Sequence, residues 1–484
     1  MYSVRTGLLL LSLVLIGGPP RAEAAEPVKQ QATKKRSAEK TSTAVVPDLG
    51  TRKQGEDWPA FLGPTGDSKS RETGIIASWP REGPRIVWQQ RVGAGYGMPT
   101  ISRGRLFQFA RFGLQARLEC LQSETGAPLW KFEYATDYED MYGYDNGPRC
   151  SPLVDDDRVY IFGAEGMLHC LTAVDGKLLW KVDTKEKFGV VQNFFGVGST
   201  PVVFAELLIC QVGGSSEESR DVAPGQLDRV RGKDSGVVAF DKRTGAVKYQ
   251  ISDELASYAG PVLATINDRP WCFVFARGGL LAFNPTNGHI DFHFPWRAPV
   301  LESVNASNPV VVGDRVLISE TYGPGSALLR VEPGKYEVLW SDKDRRRDKH
   351  LQTHWNTPVY HEGYVYASSG RHSAEAQLRC VELETGKIMW SQPGLSRSSL
   401  LYVDGHFVVL TEGGDLLLIK ATPEKFEPVS MAALEAPPNA VDAPGVGPRK
   451  LLTYPAWAAP ILSHGLLYVR GHDRLVCLEL IPAH

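Results

Sequence analysis

LRCVELETGKIMW, Leu378 to Trp390, reads as a strand, a tight turn and a returning strand. Leu378, Cys380, Val381 and Leu383 supply the apolar positions, and Glu384-Thr385-Gly386 supplies the reversal. Gly386 can take the positive φ that such a turn demands, and the Thr385 hydroxyl can bond nearby backbone. The return closes on a large ring, Trp390.

The same hairpin recurs as LECLQSETGAPLW (Leu118–Trp130) and LHCLTAVDGKLLW (Leu168–Trp180). VVAFDKRTGAVKY (Val237–Tyr249) and LLAFNPTNGHIDF (Leu280–Phe292) are weaker copies with Tyr249 and Phe292 in the tryptophan place. LLRVEPGKYEVLW (Leu328–Trp340) carries a different turn. With Trp88 as the first ring, the rings are separated by 42, 50, 69, 43, 48 and 50 residues. Trp88, Trp130, Trp180, Trp340 and Trp390, with the turn glycines Gly126, Gly176, Gly245, Gly288 and Gly386, define the repeat. An all-strand period of about 40–50 residues is the signature of a β-propeller.

A second mark runs in phase: a small residue before proline, then two apolar strands around a polar turn. Met98-Pro99, Ser151-Pro152, Thr200-Pro201, Gly260-Pro261, Asn308-Pro309, Thr357-Pro358 and Ala459-Pro460 fill this slot. Proline lacks an amide proton and suits the first residue of a strand. Each repeat therefore holds four strands, one blade. The count predicts eight blades, with seven as the alternative. PRIVWQQRVG (Pro84–Gly93) lacks a first half and RLVCLEL (Arg474–Leu480) lacks a return. The prediction is that they pair near Trp88 and Cys477 and remove the exposed edges of an open ring.

The flanks read differently. Residues 1–25, with Arg5, the apolar run Leu8–Gly18 and Ala22-Glu23-Ala24, predict a cleaved export signal. The first cysteine is Cys120, which excludes a lipid anchor on a cysteine just after the signal. Residues 26–56 have the composition of a solvated, disordered linker. Residues 57–83, holding Trp58, Phe61 and Trp79 among prolines and glycines, are expected to wrap the outside or one face and plug it. The propeller is expected over 84–484. Val212–Gly236 is an insertion within one blade, expected to be a lid or partner contact. The 43% hydrophobic content, the 48 glycines and a net charge of −2 fit a turn-rich globular protein and give no reason to invoke nucleic acid. No G-x-S-x-G, H-E-x-x-H, phosphate-binding loop or paired Cys-x-x-Cys is present.

The hairpin ending T-G-x-x-x-W, preceded by L-x-C or V-x-A-F, resembles the repeat of pyrroloquinoline-quinone enzymes and their cofactor-free relatives. The opening DWPAFLGP with SWP is similar to a group of exported propellers common in planctomycetes. Two families share this ring. Resemblance to the quinoprotein alcohol dehydrogenases implies a quinone and Ca²⁺ on the axis, usually under a disulfide of adjacent cysteines; no two cysteines are adjacent here. Resemblance to the outer-membrane assembly lipoprotein implies a cofactor-free protein-binding scaffold, although the anchoring cysteine is missing.

Cys120, Cys170, Cys380 and Cys477 hold one strand position in different blades, too far apart to bridge, and read as small core residues. Cys150, Cys210 and Cys272 leave one disulfide open. The loops entering each Pro-start strand crowd the axis, and they are polar and aromatic. Tyr142, Asn146, Asn193, Tyr258, Asn305, His354, Trp355 and Asn356 in these loops are candidate ligand residues, with a ring stacked on Trp355 and amides orienting a small polar ligand or sugar. Arg371, which follows a glycine after a strand, is a further candidate for an anion. Asp137, Glu139, Asp140 and Asp145 are weighed as a Ca²⁺ site and match no calcium loop. The expectation is an exported, monomeric binding or scaffolding module without cofactor. It would sit in the periplasm or outside the cell, have no membrane span in the mature chain, and meet a protein or envelope polymer at the axial face. The alternatives are a quinone- and Ca²⁺-dependent dehydrogenase and a sugar-binding or sugar-active propeller.

Overall fold

The computed structural model describes residues 46–435 and 449–483. The expected export signal, linker residues 26–45 and most of the Ala/Pro-rich loop after Leu434 lie outside the described residues. Thirty-two described strands form eight four-stranded antiparallel sheets, the eight blades of a propeller. Seven blades are contiguous: 100–135, 153–183, 202–251, 262–295, 310–341, 359–393 and 398–433. The eighth joins 461–479 to Ile86–Arg91, which pairs antiparallel with Arg474–Glu479 and sets Trp88 opposite Cys477.

Within each blade the first strand lies innermost: at several junctions it is the first strands of successive blades that touch, and the loops leading into all eight first strands line one axial cavity. The second strand is covered on both faces by neighbouring blades. Its sequence is accordingly a continuous apolar run, as in Arg158–Phe162 (RVYIF) and His406–Thr411 (HFVVLT). The fourth strand forms the rim and is mostly exposed, as in Pro128–Ala135.

The repeated residues are one device for joining blades. In four blades the cysteine stands directly across from the tryptophan: Cys120–Trp130, Cys170–Trp180, Cys380–Trp390 and Cys477–Trp88. Each ring leans on the next blade, and its indole N–H donates to a main-chain carbonyl there. Trp88 donates to Ser123 at 2.8 Å, Trp180 to Lys242 at 3.2 Å, Trp340 to Leu383 at 2.9 Å and Trp390 to Thr422 at 2.9 Å. Tyr249 does the same from its hydroxyl to Pro285 at 2.8 Å. Under Trp88, Trp130, Trp180 and Tyr249 lies the turn glycine of the next blade, whereas Gly386, in the blade after Trp340, lies against the His350 ring. A Cβ on Gly176 would lie 2.4 Å from Trp130, and one on Gly126 would lie 2.9 Å from Trp88. Both have φ near +70° (Gly126 +72°, Gly176 +69°), so the glycine answers two demands at once: left-handed backbone and room for a ring.

All seven cysteines are buried and free. The disulfide left open among Cys150, Cys210 and Cys272 is therefore absent from the structure.

Turns between first and second, and third and fourth, strands lie on one face, the lower. The segment 57–83 crosses that face. Trp58 is fully buried and bridges Ile101; the Val154 N–H donates to the Pro59 carbonyl; Ser68 and Ser70 pair with Tyr402; the Ile76 N–H donates to Leu480. Composition predicts a solvated linker up to Glu56, but 46–56 is docked. Val46 is buried, Arg52 pairs with Glu479 at 2.6 Å, and the Thr51 and Arg52 amides donate to Glu124. A few specific partners anchor this polar stretch, which an average over its residues does not register.

Candidate functional site

The eight loops that lead from a fourth strand into the next first strand converge on the upper face around the axis. They enclose a cavity of about 360 Å³, and every one of the eight contributes to its wall. Phe61 and Leu62, from the segment crossing below, reach up to line it together with Met98. The channel is thus closed beneath and open above.

The wall is a chain of aromatic rings. Tyr96 and Trp457 have centroids 4.8 Å apart, as do Trp457 and Trp355. The chain continues from Trp355 to His354 at 5.1 Å and to Tyr322 at 5.7 Å. In the other direction it runs from Trp457 through Tyr144 (6.2 Å) and Phe195 (5.9 Å) to Tyr258 (5.5 Å). Such tilted pairs fix one another's orientation, so the wall is preorganised.

Three guanidinium groups join the rings. Arg397 lies 4.4 Å over Trp355 and forms a forked pair with Glu412, 2.7 Å at the closest. Burial raises the Glu412 carboxyl, but donation from Arg397, Ser373 and Trp457 outweighs it and holds the group below its ordinary value. Arg149 is likewise paired with Asp140, which is buried behind it. Arg371 lies 4.6 Å over Tyr322 and has no ion pair or side-chain hydrogen bond among the described residues. Among the described residues no Asp or Glu lines the cavity. Burial, reinforced by Arg397 and Arg371, pushes the His354 imidazole down to about 3, so it is neutral; its Nε2 lies 3.2 Å from the Tyr322 hydroxyl.

The structure brings together five of the nine candidate residues: Tyr258, His354, Trp355, Asn356 and Arg371 all line the cavity. Tyr142 stands on the rim against Phe194 and Phe195. The asparagines differ from expectation, because their amides are engaged with protein backbone. Asn146 accepts from the Asp140 amide, Asn193 donates to Ala256, Asn305 donates to Ala276 and Trp296, and Asn356 donates to Ser368. Each braces its loop, and of the four only Asn356 also lines the cavity.

The acidic loop, which matches no calcium loop in sequence, is likewise engaged with protein. Asp140 pairs with Arg149 and accepts from the Tyr142 and Tyr144 amides, Asp145 accepts from Gly147, and no cluster able to hold a metal occurs among the described residues. Ca²⁺ takes about 6–8 oxygen ligands, with carboxylates prominent. A wall without carboxylates does not fit the calcium of a quinone–calcium pair.

Reading the sequence overlooked Tyr96, Tyr144, Arg149, Arg397 and Trp457, although each stands in the loop just before a first strand, where the candidates were sought. Tyr322 comes from a different loop, between second and third strands, and had no such signal. The insertion Val212–Gly236 lies on this upper face, outside the cavity wall. Leu227 packs with Val191, Phe194 and Val304, and Asp228 accepts from Arg277 at 2.9 Å and Arg297 at 2.6 Å. No helix among the described residues is long and apolar enough to cross a membrane.

The profile of the family described as "Outer membrane protein assembly factor BamB" matches residues 72–392 and 274–423. The BamB proteins of Moranella endobia and Yersinia pestis are each 22% identical to this chain, over 278 and 273 residues. These matches take in 56% and 54% of this chain and 64% and 61% of the relatives, so the chain spans about three-fifths of the curated relatives it matches. Quinohemoprotein alcohol dehydrogenase from Comamonas testosteroni superposes with a TM-score of 0.59 at 13% identity, over 88% of this chain and 81% of that one. BamB from Moraxella catarrhalis does so with 0.54 at 12% identity, over 83% and 98%. At such identities the likeness of these structures is one of fold.

Proposed function

This chain belongs to the family of the outer membrane protein assembly factor BamB, and from that premise we propose that it is an exported, monomeric, non-catalytic propeller. Its upper axial face would hold a protein or another component of the cell envelope, without metal or quinone. One observation carries the reading: among the described residues the axial cavity has aromatic and guanidinium walls and no carboxylate. A dehydrogenase of this fold would need oxygen ligands for Ca²⁺ and a free base near the reacting group. Glu412, the acid behind Arg397, is engaged by Arg397, Ser373 and Trp457. The rim supports binding, because Tyr142, Tyr144 and Tyr454 are 48%, 57% and 55% exposed around the mouth. Large exposed aromatic side chains grouped at an opening are typical of interaction surfaces.

The test is a calorimetric and absorption titration of the purified chain with pyrroloquinoline quinone and Ca²⁺, alongside a dye-linked alcohol oxidation assay. The proposal expects no Ca²⁺-dependent saturation and no turnover. Binding near one equivalent that requires Ca²⁺, with dye reduction, would replace the scaffold by an oxidoreductase.

A further inference from the structure

We propose that the axial cavity is a metal-independent receptor for a carboxylated six-membered ring, of the kind an acidic sugar residue of an envelope polymer presents. The proposal rests on the binding role argued above and names the chemistry of what is bound.

Charge is the first observation. Arg149 and Arg397 are each neutralised from behind, by Asp140 and Glu412. Arg371 is not, and it is held at the mouth by Tyr322 and by the Arg397 side chain, which donates to the Arg371 carbonyl at 3.2 Å. Exposed acids of this face, among them Asp137, Glu139, Glu302 and, in the loop of Arg371 itself, Glu375, stand outside the lining, and Glu375 accepts from the His372 amide at 3.2 Å rather than pairing with Arg371. In a chain of net charge −2 the cavity therefore carries a cation without a paired carboxylate among the described residues, set against low-dielectric walls, which strengthens its field. A planar guanidinium with free donors matches a carboxylate in a forked geometry.

Shape is the second. Tyr96, Trp457 and Trp355 follow one another at 4.8 Å, giving contiguous flat apolar surfaces beside Arg371 and Arg397. The C–H faces of a sugar ring pack against such surfaces while its hydroxyls remain free for hydrogen bonds. At about 360 Å³ the cavity falls at the low end of small-ligand sites, roughly 300–1,000 Å³.

The fold disfavours an extended peptide. Such a peptide binds by adding main-chain hydrogen bonds to an open strand edge. Six of the eight innermost strands are only three residues long. The longest, Ser398–Val403, is already paired at Tyr402 by Ser68 and Ser70. The closed floor also prevents a chain from threading the axis.

The experiment follows tryptophan fluorescence, since Trp355 and Trp457 are in the wall, with calorimetry as a second readout and EDTA present throughout. The probes are D-glucuronate and its dimer, D-glucose, benzoate and N-acetyl-aspartate amide. The expected result is saturable quenching by glucuronate, tighter for the dimer, and at least tenfold weaker binding of glucose. Arg371→Gln should lower glucuronate affinity tenfold or more with an unchanged melting temperature, and Arg371→Lys should recover part of it. Equal affinity for glucose, no effect of Arg371→Gln, or no saturation with any probe would overturn the proposal. Tighter binding of benzoate or of the aspartate amide would overturn it in favour of an aromatic acid or a peptide. Cross-linking of a partner from the exposed rim at Tyr454 reads the binding role separately. If it persists while the sugar titration fails, only the ligand class is wrong.

Discussion

Replacing Gly176 with alanine separates the two demands placed on the turn glycine. Trp130 cannot easily retreat from the new methyl group. Its indole N–H donates to Ala173, it stands across from Cys120, and it tilts against Phe107 at 5.9 Å. A left-handed backbone costs an L-residue about 1–2 kcal/mol, and forcing a methyl into a packed contact costs about 1–3 kcal/mol more. Gly176→Ala should therefore lose about 2–5 kcal/mol. Gly405 has nearly the same backbone, φ +72°, but nothing within 4 Å of the added Cβ, so Gly405→Ala should lose only the backbone part, about 1–2 kcal/mol. Adding Trp130→Leu to Gly176→Ala should recover about 1 kcal/mol or more relative to the sum of the single changes, the signature of direct contact. The assay is denaturant unfolding with comparison of midpoints at constant slope. If Gly176→Ala and Gly405→Ala lose the same stability, the ring-on-glycine device does not join the blades.

Three further outcomes are expected. Burial raises the Cys120 thiol to about 12 and the Cys170 thiol to about 11, and all seven cysteines are buried. A thiol reagent at pH 8 should label none in the native chain and all seven after unfolding without reductant; fewer by mass spectrometry would mean a disulfide. Burial also lowers His169 to about 4, so it is neutral when folded while its unfolded form protonates near 6.5. The unfolded state binds more protons between these values, so stability should fall as pH drops from 6.5 towards 4; His169→Phe, packed on Phe132 and Tyr134, should make the unfolding midpoint less sensitive across that window. Glu412→Ala leaves Arg397, only 12% exposed, without its counter-charge and should cost about 3 kcal/mol, read as a lower unfolding midpoint.

The ring was legible because its joints are local. Thr-Gly and the tryptophan lie within one hairpin, and the same contact with the next blade is made over and over. Tyr249 and Phe292 pass as weak copies because an aromatic body suffices there, whatever its polar tip. The site was legible only as a slot. Loops before the first strands were the right place to search for Trp355 and His354, whereas Arg371, in a loop between second and third strands like Tyr322, was singled out as a cation following a glycine at a strand end. Asn193 and Asn305 were chosen on residue type, but a side-chain amide bonded to backbone looks the same in sequence as one facing a ligand. Arg397 was passed over in LSRSS, where nothing local announces its pairing with Glu412 on the next turn of the blade. That residues 57–83 would cover or plug one face was expected, but that Phe61 and Leu62 in particular line the cavity was not legible. They come from a segment without periodicity, and only the closed ring places them beneath the axis.

The claim that the upper axial face holds the partner is tested most directly by photo-cross-linking in cells of the source organism. A photoreactive residue would be placed at Tyr454, exposed at the mouth, or at Val174, exposed on a turn of the lower face. The account predicts a discrete adduct from Tyr454 that is absent from Val174 and diminished by Arg371→Gln. Adducts from Val174 alone would place the interaction on the opposite face and contradict it.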